Sequence, residues 1–177
     1  SLWLEGMRRK GEISYEPGEA YRCCQHNHAM GWPYYAEHLW MATPDAGLAA
    51  VLYAPSEVTA KVGDGVEVRI AQETGYPFED AVTLSIETSK PTGFPLYVRV
   101  PAWCKAATAV TPDGRVEGEA GKYIRIERVW KTGDQVRLRL PMGIELKRWT
   151  ANKDSVSVRR GPLWYSLKIE EEYRKKG

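Results

Sequence analysis

Short segments in which apolar and polar residues alternate follow one another along most of the chain. A period of two brings every second side chain to the same face of a strand, so each segment predicts a strand with one buried face. The segments are residues 66–70, 82–86, 96–100, 124–126, 136–140, 156–158 and 163–167, and residues 48–53 form a continuous apolar run. Turn sequences such as Gly63-Asp64-Gly65 and Thr132-Gly133-Asp134 separate them, and no helical pattern intervenes. This pattern predicts a mainly β fold over residues 48–168, an antiparallel β-sandwich or jelly roll.

The sequence before residue 44 has a different pattern. Between residues 27 and 41, side chains suited to one helix face recur at three-to-four spacing, at Met30, Tyr34, His38 and Met41. Pro33 would kink such a helix or occupy its first turn, so a helix start near Trp32 fits equally well. We therefore predict two parts, a helical segment in residues 1–43 and a β-sandwich domain in residues 44–177. The first part is too short to build its own core, so it should pack on the sandwich or belong to a larger helical domain.

Charge and composition restrict the classes of partner. Among the 177 residues, 25 Lys and Arg face 23 Asp and Glu, which gives a net charge of +2 and argues against nucleic-acid binding. No apolar run approaches the roughly 18 residues of a membrane-spanning helix, so we expect no membrane partner. The chain has 7 Trp and 10 Tyr but 2 Phe, and Trp and Tyr suit sugar-binding clefts and interfaces as well as cores.

Reactive side chains are concentrated in Tyr21-Arg22-Cys23-Cys24-Gln25-His26-Asn27-His28. The chain has 3 cysteines, so they cannot all be paired within it, and adjacent cysteines rarely bridge each other. Two interpretations of Cys23 and Cys24 stay open. In the first they are small buried hydrophobic residues, and in the second they are thiolates that act on one substrate or one zinc ion together with neighbouring groups. Zinc usually takes four ligands, and no CxxC or HExxH sequence elsewhere supplies the others.

Other candidate residues have simpler explanations. Cys104 follows a strand, and we expect it to be a buried structural thiol. His38 is expected on a helix face. For the tryptophans of the strand region, core packing is the expectation and a sugar platform the alternative; these are Trp103, Trp130, Trp149 and Trp164. Carboxylates that could serve a glycosidase are present as well, but nothing in the sequence pairs them; these are Glu73, Glu79, Asp80 and Glu127.

Several motifs in one fixed order resemble a known family. They are Cys23-Cys24-x-x-Asn27, Gly31-Trp32-Pro33, Asp45-x-Gly47-Leu48-x-x-x-Leu52-Tyr53-x-x-Ser56, Gln72-Glu73-Thr74-x-Tyr76-Pro77-Phe78, Leu96-x-x-Arg99-x-Pro101-x-Trp103-Cys104, Trp130-x-x-Gly133-Asp134, Leu140-Pro141-Met142 and Arg160-Gly161-Pro162-Leu163-x-Tyr165. From Tyr21 onward the chain resembles glycoside hydrolase family 127, the β-L-arabinofuranosidase-like family first catalogued as a domain of unknown function.

The resemblance implies a domain order and a site. Members have an N-terminal (α/α)6 barrel followed by β-sandwich domains, so residues 1–43 would be the tail of the catalytic barrel. Cys23 would be the nucleophile of a retaining glycosidase and a zinc ligand, and Cys24 a second zinc ligand. The family's other ligands, a Glu and a Cys, and its Glu acid/base lie upstream and have no match here.

These implications set the expected partners. The resemblance implies zinc as the cofactor of the intact enzyme, a carbohydrate substrate and the missing barrel domain, and it implies that this chain alone is inactive. Reduced metal-binding thiols are easier to maintain in a cytosol. The alternative is a non-catalytic carbohydrate-binding or structural β-sandwich module. Exposed Trp or Tyr along one sheet face would favour sugar binding, whereas burial of every Trp would count against it.

Overall fold

The computed structural model describes Asn27 and residues 29–168. The chain divides into two units between His38 and Leu39. In the first unit, the short helix α1 spans Gly31–Glu37, with Trp32 and Pro33 in its first turn and no side-chain cap at Met30. Whether residues 1–43 are the tail of a helical barrel stays a prediction.

The predicted helix over residues 27–41 extends too far. Residues Trp40–Ala42 form strand β1, which pairs antiparallel with β2, Leu48–Ala50. The turn between them is closed by the Thr43 amide, which donates to the Gly47 carbonyl at 3.1 Å. Strand pairing across this turn therefore overrides the helical spacing that ends at Met41.

Eleven further strands follow in the described part of the chain. They are β3 Ser56–Val62, β4 Val66–Thr74, β5 Ala81–Thr88, β6 Thr92–Arg99, β7 Ala107–Thr111, β8 Gly114–Gly118, β9 Tyr123–Trp130, β10 Gln135–Arg139, β11 Ile144–Trp149, β12 Ser155–Arg160 and β13 Leu163–Tyr165. A 3-10 turn spans Thr150–Asn152 between β11 and β12. No helix in the described residues is long and apolar enough to cross a membrane.

The strands form three sheets. Their orders are β1-β2-β6-β9, β3-β4-β5-β10-β7-β8 and β11-β12-β13. Pairing is antiparallel apart from β2 and β6, which run parallel with Leu48 opposite Leu96. Gly47 permits this approach, because a Cβ there would clash with the Pro95 carbonyl oxygen. The predicted mainly β, antiparallel fold is confirmed.

The first two sheets share one hydrophobic core. Alternate residues of each strand point inward, as Ile70 and Leu84 do from the six-stranded sheet, and Leu96 and Trp130 from the four-stranded sheet. Each of these side chains is almost completely buried, and burying one such side chain contributes about 1.5–3 kcal/mol. Two sheets packed face to face on one core make this part a β-sandwich.

The third sheet, β11-β12-β13, lacks such a cover within the described residues. Ile144 and Leu146 on β11 are 74% and 71% exposed, and Val156 on β12 is 51% exposed. A hydrogen bond at 3.0 Å from Arg160 Nη1 to the Phe78 carbonyl oxygen links β12 to the turn that follows β4.

Candidate functional site

The cysteine pair lies outside the described residues. Of the segment from Tyr21 to His28, the structure describes Asn27 alone, which is exposed. The roles of Cys23 and Cys24 therefore stay predictions. Among the residues that are described, no group of three His, Cys, Asp or Glu side chains could hold a metal ion.

Cys104 is a buried structural thiol, as predicted. Its side chain is fully buried in the sandwich core, and its amide donates to the Pro101 carbonyl oxygen at 2.9 Å. Burial raises the pKa of the Cys104 thiol, because the surroundings disfavour the thiolate. His38 follows α1, where its exposed ring donates from Nδ1 to the Tyr34 carbonyl oxygen at 2.6 Å.

We expect Cys104 to resist a thiol reagent in the native protein at pH 8. Both its burial and its raised pKa keep it protonated and out of contact with the reagent. Mass spectrometry of the labelled peptides should find Cys104 unmodified until denaturant is added. A Cys104→Ala variant should bind as many labels as the native protein in the folded state. Equal labelling rates of Cys104 with and without denaturant would contradict this role.

Three of the family-like motifs converge at one end of the sandwich. Gln72 Nε2 donates to the Ala54 carbonyl oxygen at 2.7 Å, and the Tyr53 hydroxyl donates to the Arg99 carbonyl oxygen at 2.5 Å. The rings of Tyr53 and Tyr76 meet edge to face, with 5.8 Å between centroids. Desolvation raises the pKa of Tyr53, so its hydroxyl stays a hydrogen-bond donor. These motif residues hold strands together and supply no nucleophile with an adjacent base.

A second polar cluster lies on the outer face of the four-stranded sheet. The Tyr97 hydroxyl donates to Asp45 Oδ2 at 2.6 Å, and Arg125 Nε donates to the Tyr97 hydroxyl oxygen at 2.8 Å. Arg125 also forms an ion pair with Glu127. Hydrogen bonds from Thr43 and then Tyr97 lower the pKa of Asp45. The Asp45 carboxylate is thus held ionised, unlike the raised-pKa acid that a glycosidase needs.

The sequence analysis did not identify this outer-face cluster. Tyr97 and Arg125 stand at outward positions of two alternating segments, which is a visible signal. Their contact depends on the β6–β9 register, in which Tyr97 lies opposite Arg125. Alternation predicts the face of each residue, but it does not predict which residue of a distant strand lies opposite.

The candidate carboxylates are not brought together. Glu73 and Glu127 are exposed on the outer faces of different sheets of the sandwich. Asp80 is ion-paired with Arg139 at 3.2 Å, at the end of the six-stranded sheet. Glu79 lies in the turn after β4, where its amide donates to the Gly75 carbonyl oxygen at 3.1 Å. Glu127 thus lies on a different sheet from Glu73 and does not face it across a cleft.

The tryptophans divide into two groups. Trp130 is completely buried and Trp103 packs half-buried against the core, as predicted. For Trp149 and Trp164 the expectation of core packing is wrong, because they are 41% and 51% exposed. Both lie on the third sheet, which no other described sheet covers. Their rings are neighbours, with centroids 6.5 Å apart.

Comparison with known proteins connects the sandwich to one family. The family described as "Beta-L-arabinofuranosidase, GH127 middle domain" matches residues 47–142. The match includes β2 through β10, and thus most of both sheets of the sandwich. Comparison with curated proteins gives no match.

Solved structures with the same fold are similar to the chain. A GH127 β-L-arabinofuranosidase from Geobacillus stearothermophilus T6 is 31% identical with a TM-score of 0.71, over 80% of this chain and 23% of that one. A protein described as a glycoside hydrolase is 28% identical with a TM-score of 0.70, over 82% and 25%. A GH127 β-arabinofuranosidase at 24% identity and a TM-score of 0.60, over 69% and 22%, supports the fold alone. The chain thus spans about a quarter of the length of the solved proteins it matches.

Proposed function

Since the chain belongs to glycoside hydrolase family 127, we propose that it is part of a retaining glycosidase whose nucleophile is Cys23. The observation that carries this proposal is the middle-domain match over residues 47–142. The Cys23-Cys24 pair precedes that region in the sequence, in the order that the resemblance implies. The proposed substrate is a carbohydrate similar to a β-L-arabinofuranoside.

Cys23 would carry the reaction through a covalent intermediate. Its thiolate attacks the anomeric carbon, so a carbon–sulfur bond forms while the glycosidic carbon–oxygen bond breaks. An acid from outside this chain protonates the leaving oxygen. The resulting base then takes a proton from water, which attacks the same carbon and releases the Cys23 thiolate. Two displacements on one carbon retain its configuration.

The zinc proposal depends on the chemistry of the ligands. Two thiolates, from Cys23 and Cys24, are ligands that zinc prefers, and together they are half of the usual set of four. When bound, zinc keeps a coordinating thiol deprotonated. The resemblance to the family implies that the two remaining ligands, a Glu and a Cys, come from the upstream barrel. We therefore assign this chain half of a zinc site.

The isolated 177-residue chain should be inactive. It lacks a match for the family's acid/base Glu and for half of the ligands, so it should not hydrolyse an aryl β-L-arabinofuranoside. It should also lose zinc on dialysis. A longer form that includes the upstream barrel should hydrolyse this substrate with retention, measured by NMR of the first-formed anomer. Zinc-dependent hydrolysis by the isolated chain, or inversion by the longer form, would contradict the proposal.

A further inference from the structure

The two faces of the third sheet differ in chemistry. Alternate residues of β11 and β12 give one face four aliphatic residues with two arginines among them, at Ile144, Leu146, Arg148, Val156, Val158 and Arg160. The opposite face carries polar and charged residues with two tryptophans among them, at Glu145, Lys147, Trp149, Ser157, Arg159 and Trp164. The indoles of Trp149 and Trp164 lie on the face opposite these aliphatic residues, where they are 41% and 51% exposed.

Trp149 and Trp164 together form one aromatic surface across the sheet. They stand on β11 and β13, the two outer strands, on either side of β12. Trp149 Nε1 donates to Ser157 Oγ at 2.9 Å, which fixes this indole over the middle strand. The two ring planes are inclined by 41° with centroids 6.5 Å apart. Indoles held side by side and about half exposed offer flat apolar surface without ordering cost on binding.

Positively charged side chains outnumber negatively charged ones on the face that carries Trp149 and Trp164. Glu145 is paired with Arg159, whose Nε lies 3.1 Å from Glu145 Oε2, and this hydrogen bonding lowers the pKa of Glu145. The Arg159 guanidinium also lies 5.7 Å from the centre of the Trp164 ring. Lys147 Nζ lies 3.9 Å from the centre of the Trp149 ring and has no carboxylate partner among the described residues. Lys105 also lies close enough to Glu145 to lower its pKa, so this surface carries an excess of positive charge, with Lys147 beside an exposed indole.

We propose that the Trp149–Trp164 face binds an acidic oligosaccharide. The apolar faces of the sugar rings stack on the two indoles, and a uronate carboxylate pairs with the Lys147 ammonium. This small excess of positive charge fits one carboxylate per sugar unit better than the closely spaced phosphates of a nucleic acid, which require a basic stripe. This site is independent of Cys23 and of the glycosidase proposal.

The test uses the 177-residue chain with oligogalacturonides as the acidic probe and arabinan oligosaccharides as the neutral one. Quenching of tryptophan fluorescence and calorimetry should show saturable binding of the acidic probe, which weakens as salt is added. Trp149→Ala and Trp164→Ala should each weaken binding by about tenfold or more, the effect of losing one stacked ring. Lys147→Gln should weaken binding by about threefold and remove most of the salt dependence.

Matched variants separate the site from general effects of tryptophan loss. Trp32, 63% exposed in α1, is the control, and Trp32→Ala should bind like the native chain. Trp164→Leu retains the apolar bulk but loses the flat ring, so it should also lose binding. It keeps the site testable if Trp164→Ala fails to fold. Absence of saturable binding, equal affinity for the neutral probe at low salt, or native affinity in both Trp149 and Trp164 variants would each overturn the proposal.

Discussion

Replacing Cys23 with serine, in a form of the protein that includes the upstream barrel, should lower kcat by roughly four orders of magnitude or more. A serine hydroxyl is a far weaker nucleophile than a thiolate, and without a covalent intermediate the reaction loses its two-step route. The measurement is steady-state hydrolysis of an aryl β-L-arabinofuranoside. Cys104→Ala is the control, and it should retain kcat because Cys104 is buried in the sandwich core.

Loss of zinc could also lower kcat, so the role of the thiol needs a second readout. Rapid acid quenching of the native enzyme during turnover should trap one pentose unit on the peptide that contains Cys23. Cys24→Ser should lower the zinc content without moving that adduct to another residue. Native kcat in the Cys23→Ser variant, or an adduct on a carboxylate, would mean that the nucleophile is a different group.

Eight of the thirteen described strands were predictable, because a local pattern of apolar residues marks each of them, whereas β1, β3, β7, β8 and β11 were not predicted. Residues 48–53, which are apolar throughout, predict a strand buried on both faces, and β2 is fully buried between β1 and β6. The helix end was not predictable, because the turn before Gly47 pairs Met41 with Ala49 in place of a further helical turn. Whether such a segment becomes a helix or a strand depends on contacts with distant residues, and the local sequence pattern does not contain them.

The surface clusters were only half predictable. Alternation gives Tyr97 an outward position on β6, whereas β11, which carries Lys147 and Trp149 on one face, lies outside the predicted segments. Alternation does not say whether another layer covers that face, which is why Trp149 was expected in a core. Nor does it give the register that brings Tyr97 to Arg125. The sequence of one strand determines the face to which each side chain points. The layer that packs on that face and the register with the next strand depend on the rest of the sheet and its neighbours.

Trp130→Ala should be the most destabilising single change in the sandwich. The indole is completely buried, its ring centroid lies 5.8 Å from that of Phe94, and its Nε1 donates to the Phe94 carbonyl oxygen at 2.9 Å. Truncation leaves a cavity in the core between the two sheets, and such changes lower the free energy of unfolding by about 3–5 kcal/mol. The expected fall in Tm is about 10–20 °C for a domain of this size.

Two variants at and beside this position show which interaction dominates. Trp130→Phe keeps a ring against Phe94 but loses the donor, so it should lower the free energy of unfolding by about 1–2 kcal/mol. Val129, the next residue, is 54% exposed, and Val129→Ala should change it by less than about 0.5 kcal/mol. Urea unfolding followed by far-UV circular dichroism gives all three values. If Trp130→Ala matched Val129→Ala, the two sheets would not depend on the indole for their packing, and the aliphatic side chains of the core would have to hold them together.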